Sequence, residues 1–209
     1  MMAHGDFETR STMELPQVGT HKYALCENTD VWCFAWAIGD EEPAVWSPGE
    51  PAPRALFDHL ASGGLITAHN AVFELEIWNK VMTRRYGWPA LPVRNCRCSM
   101  SQAYAMALPG SLDKAAAALG IDARKDPAGY RIMLQMSRPR GFDVLGDPIW
   151  WDDDDKKQRL YEYCKQDVRV EQAIAKRLLP LSPSEQRLWE LDYAINTRGL
   201  YLDQPAIVS

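Results

Sequence analysis

An α/β domain built around one mixed β-sheet is the fold class this sequence predicts. Apolar residues make up 46% of the 209, enough to close a real core. Strand-like segments come first, with an acidic turn that suits antiparallel pairing. Strands and helices then alternate, the pattern of a sheet extended by parallel strands and flanked by helices.

Each element has its own signal. A first strand carries Asp6-Phe7-Glu8 at its end, after the short lead Met1 to Gly5. Val31 to Gly39 is rich in aromatic and β-branched residues and reads as a buried strand. Ala44-Val45-Trp46 lies across the turn Asp40 to Pro43 and suits an antiparallel partner. Pro48 to Pro53 is a loop. Arg54 to Ala61 reads as a helix stopped by Gly63-Gly64. Leu65 to His69 is a short strand that runs into a helix from Asn70 to about Tyr86, with Phe73, Ile77 and Val81 on one stripe. Leu91-Pro92-Val93 and the next few residues supply an edge strand. Helices follow at Ser99 to Leu108, Ser111 to Leu119 and near Tyr130 to Met136. Ser137 to Pro148 is rich in Pro and Gly and reads as loop. A long helix runs from about Asp155 to Leu179, Pro180 to Pro183 breaks it, and Ser184 to Thr197 forms a last helix.

Bulk composition narrows the function classes. No run of eighteen apolar residues is present, so no membrane span is expected. Met1 to Gly5 has neither the charged nor the apolar region of a signal peptide. Five cysteines without a repeat spacing suit a reducing cytoplasm better than a disulfide scaffold. Cys96-Arg97-Cys98 lacks a second Cys/His pair at a finger-like spacing, which argues against structural zinc. The net charge of −5 argues against a protein that coats duplex DNA. It does not argue against a nuclease, because bound metal turns an acidic cluster into a phosphate site.

Three short groups carry the chemistry. Asp6 and Glu8 are two apart, so a strand puts both carboxylates on one face and turns Phe7 to the core. Such acids repel unless a cation sits between them. Asn70 and Glu74 are four apart at a helix start and share a face. Tyr163 and Asp167 repeat that spacing on the long helix. Together they describe a site for two divalent metals, a device for cutting phosphodiesters. Each group also has an ordinary reading: an exposed strand end, an N-cap Asn with a dipole-favoured Glu, a half-buried Tyr beside a solvated Asp. Asp152 to Asp155 reads as a solvated helix start, since adjacent residues cannot all face one metal.

In this order the groups resemble the three motifs of the DEDDy 3′→5′ exonucleases, the DnaQ-like branch of the RNase H-like superfamily. Asp6-Phe7-Glu8-Thr9-Arg10-Ser11, Ala68-His69-Asn70-Ala71 and Tyr163-Cys164-Lys165-Gln166-Asp167-Val168 are similar to the exonuclease domains of phage and prophage family A DNA polymerases. Pro109-Gly110-Ser111-Leu112 and Trp150-Trp151-Asp152-Asp153 add to the likeness, which covers about residues 6 to 205. It implies an RNase H-like mixed sheet, with residues 1–180 as exonuclease domain. Residues 181–209 would be a helical extension like the junction to a polymerase domain. The remaining residues leave no room for polymerase carboxylates, so no nucleotide incorporation is expected. Two departures stand out: Glu74 replaces the usual Asp, one methylene longer, and the first strand has a short apolar lead.

The resemblance implies an activity as well. Asp6 would bridge two Mg²⁺ ions, with Mn²⁺ able to substitute; Glu8 and Asp167 would complete one metal site and Glu74 would support the other. Tyr163 would orient the attacking water. Thr9, Asn70 and Phe73 would contact substrate, a single-stranded or frayed DNA 3′ end, and the products would be nucleoside 5′-monophosphates. Phe7 and Phe73 either stack on bases or belong to the core, and the core reading is the simpler. The implied setting is proofreading during DNA replication in a host cytoplasm, beside a polymerase domain or replisome partner. Two alternatives stay open: a non-catalytic nucleic-acid-binding or scaffold domain, and an RNA-trimming exonuclease.

Overall fold

The computed structural model describes residues 1–122, 126–203, 206 and 207. Its centre is β1 (Met2–Arg10), flanked on both sides by strands. After it come α1 (Leu15–Leu25), β2 (Asp30–Ile38), β3 (Ala44–Trp46), α2 (Arg54–Ala61) and β4 (Leu65–Ala68). Next are α3 (Ala71–Glu76), a π-helical stretch (Ile77–Met82), α4 (Thr83–Tyr86), β5 (Cys96–Cys98), α5 (Ser99–Ala105), α6 (Leu112–Ala118) and α7 (Pro127–Met136). A small hairpin, β6 (Gly141–Phe142) and β7 (Pro148–Ile149), precedes α8 (Asp154–Ala175) and α9 (Pro183–Arg198).

The main sheet has the order β3-β2-β1-β4-β5. β1 and β2, and β2 and β3, pair antiparallel; β4 joins β1 in parallel and β5 joins β4 in parallel. This is the expected α/β architecture, an RNase H-like mixed sheet of three antiparallel strands with parallel additions, flanked by helices.

The two faces of the sheet differ in side-chain size. On one face Phe7, Phe34, Trp46, Trp78 and Trp88 form an aromatic core, with Phe7 and Phe34 centroids 4.3 Å apart and Trp78 and Trp88 4.8 Å apart. On the other, Cys33, Ala35 and Ala37 of β2 are small, and α8 settles on them through Cys164 and Val168. Small residues let the helix backbone come close, which brings the polar groups of β1 and α8 within reach of one another.

Several expectations need correction. Asp6 and Glu8 lie in the body of β1, because its pairing with β2 runs from Ala3 to Arg10; the short lead suffices, since the antiparallel ladder holds the strand from Ala3 onward. The edge strand is Cys96–Cys98. Pro92 has no N–H to give a ladder, and Val93–Asn95 makes a single 3₁₀ turn instead. The Asn70-to-Tyr86 helix starts at Ala71 and contains the π-helical stretch. Part of the Ser137-to-Pro148 loop is the β6–β7 hairpin. The long helix ends at Ala175, and α7 begins at Pro127, capped by Asp126, whose side chain accepts from Gly129 N. α1 was not expected at all. Asp152 to Asp155 are exposed, as expected, with Asp153 capping α8.

α9 starts with a capping box between Ser182 and Glu185. It docks through Trp189, Tyr193 and the buried Gln186, while Leu188, Leu191 and Ile195 are 64%, 54% and 44% exposed. The spacing of that stripe leaves it either to pack on the core or to stay open for a partner, and the structure shows it pointing outward. Tyr193 instead donates to Glu76 Oε1 (2.8 Å), a buried carboxylate that also holds His21 Nδ1 (2.9 Å). Among the described residues, no helix is long and apolar enough to cross a membrane.

Candidate active site

Three elements deliver the acids. The alternation of β1 turns His4, Asp6 and Glu8 to the α8 face, opposite Phe7. On α8, Tyr163 and Asp167 stand one turn apart and face the same place. β4 leads through His69 and Asn70 into α3, which brings Glu74 in its first turn. The chain makes that corner at Asn70, in the left-handed region at φ 72°, a conformation Asn tolerates better than most residues.

The predicted groups meet. Ligand atoms of Asp6, Glu8 and Cys164 lie within 4.8 Å of one another. The Cys164 thiol donates to the Asp6 backbone carbonyl (3.3 Å) and reaches Asp6 Oδ2 at 3.4 Å. Glu8 feels the charges of Asp6, Asp167 and Glu74 together.

Electrostatics record the crowding. Part of the Asp6 side chain is accessible, yet protein encloses its carboxyl group; burial pushes it up to about 7, opposed by a lowering contact from Cys164 and aided by the charge of Glu171. Burial, then the charge of Asp6, takes Asp167 to about 8. Glu8 and Glu74 are also raised well above the usual carboxylate range, first by burial and then by Asp6. Without a cation these acids hold protons that ordinary carboxylates have lost at neutral pH.

The donor set suits a hard divalent ion. Asp6 and Glu8 are adjacent, the charges of Asp167 and Glu74 reach Glu8, and Glu74 Oε2 is buried without a hydrogen-bond partner. A carboxylate oxygen withheld from both water and protein is available as a ligand. Asp6, Glu8, Glu74 and Asp167 are the residues able to hold such ions.

Tyr163 is half-buried beside Asp167. Burial, followed by the charges of Asp167, Glu8 and Asp6, raises its hydroxyl far above the ordinary tyrosine value. It therefore stays protonated and serves as a donor. Its ring is set by α7: a Cβ on Gly129 would lie 2.6 Å from Tyr163 Cδ2.

The other predicted residues ring this centre. Thr9 is buried, its hydroxyl 2.9 Å from that of Tyr23, and Phe73 packs half-buried with its ring centroid 6.2 Å from that of Tyr23. Asn70 is exposed and makes no capping hydrogen bond. Phe7 is a core residue. His69 Nε2 donates to Gly110 O (2.8 Å) and Nδ1 meets the Ser99 hydroxyl (3.0 Å). Burial lowers its pKa, so it is a neutral brace between β4 and the Gly110 loop.

Sequence reasoning missed a polar tier behind the acids. Glu171 is only 3% exposed and accepts from Thr67 Oγ1 at 3.0 Å, while its other oxygen meets His4 Nδ1. The signal was present: His4 continues the alternation of Asp6 and Glu8, and Glu171 continues the four-residue spacing of Tyr163 and Asp167. All five cysteines are free, and Cys96 and Cys98 are buried.

An RNase H-like sheet carrying an acidic cluster where β1, α3 and α8 meet defines the class of domain. No family model matches the chain. It is similar to the DNA polymerase of Bacillus phage SP02, 33% identical over an alignment that covers 95% of this chain. The chain is thus polymerase-related, and it spans 31% of that polymerase's length.

Proposed function

We propose that this chain is a two-metal-dependent 3′→5′ exonuclease of the DEDDy, proofreading type. In this reading it removes nucleoside 5′-monophosphates from single-stranded or frayed DNA 3′ ends. The observation that carries the reading is the meeting of Asp6 and Glu8 of β1 with Cys164 of α8, where the charges of Asp167 and Glu74 also act on Glu8, and those of Asp167, Glu8 and Asp6 on Tyr163. Similarity to a phage DNA polymerase supports a setting beside a polymerase.

Asp6, Glu8, Glu74 and Asp167 would hold two Mg²⁺ ions, or Mn²⁺ in their place. When bound, such a pair acidifies a water molecule and neutralises charge at the scissile phosphate. The chain supplies position. Asp6, whose charge acts on Glu8, Glu74 and Asp167 alike, would be a ligand to the ions with them. Tyr163, held protonated, donates a hydrogen bond that orients the attacking water. Phe73, half-buried against Tyr23, would offer its ring to the terminal base, and base–aromatic contacts are worth about 1–3 kcal/mol each. Asn70, exposed at the corner before α3, is free to contact the substrate.

The test uses 5′-labelled single-stranded DNA, matched duplex and RNA, each with Mg²⁺, Mn²⁺ or EDTA. Metal-dependent shortening of single-stranded DNA, faster than of duplex, is the expected result. Faster shortening of RNA would shift the reading to RNA trimming. Intact DNA and RNA in both metals would favour a non-catalytic binding domain.

A further inference from the structure

The buried carboxylate of Glu171 has no part in the chemistry proposed above. It sits one helical turn beyond Asp167 on α8. Its Oε1 accepts from Thr67 Oγ1 of β4 at 3.0 Å, and its Oε2 meets His4 Nδ1 of β1. His4 and Thr67 are register partners in the parallel β1–β4 pair. All three side chains are buried.

Each end of this trio leads to a site acid. His4 is two residues before Asp6 on the same face of β1. Thr67 is the penultimate residue of β4, just before the corner that delivers Glu74. Glu171 lies four residues after Asp167. One carboxylate of α8 therefore joins β1, which carries two site acids, to β4, the strand that leads into the Glu74 helix.

A purely structural staple at this place has a cheaper form. Apolar side chains of similar volume join packed elements without burying a charge, and buried ion pairs are often replaceable that way. Glu171 instead places a fifth carboxylate behind the site, held by a hydroxyl and an imidazole rather than by apolar contacts.

We propose that Glu171 is the positioning residue of the site: by holding His4 and Thr67, it sets the separation of Asp6, Glu74 and Asp167 for divalent metal. The inference rests on the metal-dependent reading of the site given above. Residues that orient metal ligands from behind act this way in general, and their loss costs about 10–100-fold in metal affinity or activity.

The experiment is a Mn²⁺ titration of the full chain, with free Mn²⁺ counted by electron paramagnetic resonance, beside thermal melting in EDTA. The variants are Glu171→Gln, Thr67→Val and Thr67→Ser. Thr67→Val keeps the volume and removes the donor; Thr67→Ser keeps the donor. Glu171→Gln and Thr67→Val are expected to weaken Mn²⁺ binding about tenfold or more while the metal-free protein stays folded, and Thr67→Ser is expected to bind as the parent does. Parent-like Mn²⁺ binding in both Glu171→Gln and Thr67→Val would overturn the proposal. So would loss of the fold in both, which would make the trio a structural staple alone. Equal weakening by Thr67→Ser and Thr67→Val would overturn the role of the hydroxyl. If the parent itself binds no Mn²⁺, the metal-dependent reading fails and takes this proposal with it, an outcome distinct from normal parental binding that the variants leave unmoved.

Discussion

Asp6→Asn should make the metal-free protein more stable. The Asp6 carboxyl is raised from 3.8 to about 7, chiefly by burial. An acid whose folded pKa exceeds its unfolded one favours the fold at low pH, and the advantage is lost as pH climbs from about 4 to 7. At pH 8, ionising Asp6 in the fold costs about 4 kcal/mol more than in the unfolded chain, at about 1.4 kcal/mol per pH unit. Proton sharing with Asp167, itself raised to about 8, and the partial exposure of Asp6 reduce this by about half. A gain of about 2 kcal/mol corresponds to a melting temperature about 4–8 °C higher for a domain of this size. The assay is thermal melting in EDTA at pH 5, 6, 7, 8 and 9. The parent should lose stability as pH rises to about 8, and the variant should exceed it by a margin that widens up to about pH 7 to 8 and is level above. With saturating Mg²⁺ or Mn²⁺ the order should reverse, because only the parent gains binding energy. A variant that melts at or below the parent at pH 8 in EDTA would refute the repulsion argument and make Asp6 a structural acid.

Other expectations follow from particular contacts. Asp167→Ala should abolish shortening of labelled DNA, whereas Tyr163→Phe should slow it less, since only a donor is lost; equal losses in a single-turnover assay would overturn the assigned roles. Gly129→Ala should slow cleavage about tenfold or more, because the new Cβ would fall 2.6 Å from Tyr163 Cδ2 and 2.4 Å from Asp126 Oδ2; an unchanged rate would show that the ring need not hold its place. Tyr193→Phe should lower stability by about 1–3 kcal/mol in chemical denaturation by leaving the buried Glu76 short of a donor, and should let protease cut sooner after Leu179.

The sheet was legible because its signals are local. Val31 to Ile38 alternates aromatic with small residues, and Phe7 between two acids can only turn one way. α1 escaped notice because its pattern is weak: Pro16 opens it, and Gly19 breaks it with φ 74° and ψ 163°. On α9 the spacing left two outcomes open, a packed stripe or an exposed one. Leu188, Leu191 and Ile195 have the better spacing, but the surface beneath offers the buried Glu76 carboxylate, which selects the Tyr193 hydroxyl and carries Trp189 inward. The site acids were found because their spacings follow strand and helix periods. Cys164 was seen only as part of a motif, since nothing in its neighbours announces the contact with Asp6 across 158 residues of chain.

The most direct measurement is anomalous diffraction from crystals of this chain soaked in Mn²⁺. Two Mn²⁺ peaks are expected beside Asp6, one near Glu8 and Asp167 and the other near Glu74. No peak at these carboxylates, with Mn²⁺ bound elsewhere or not at all, would contradict the two-metal reading.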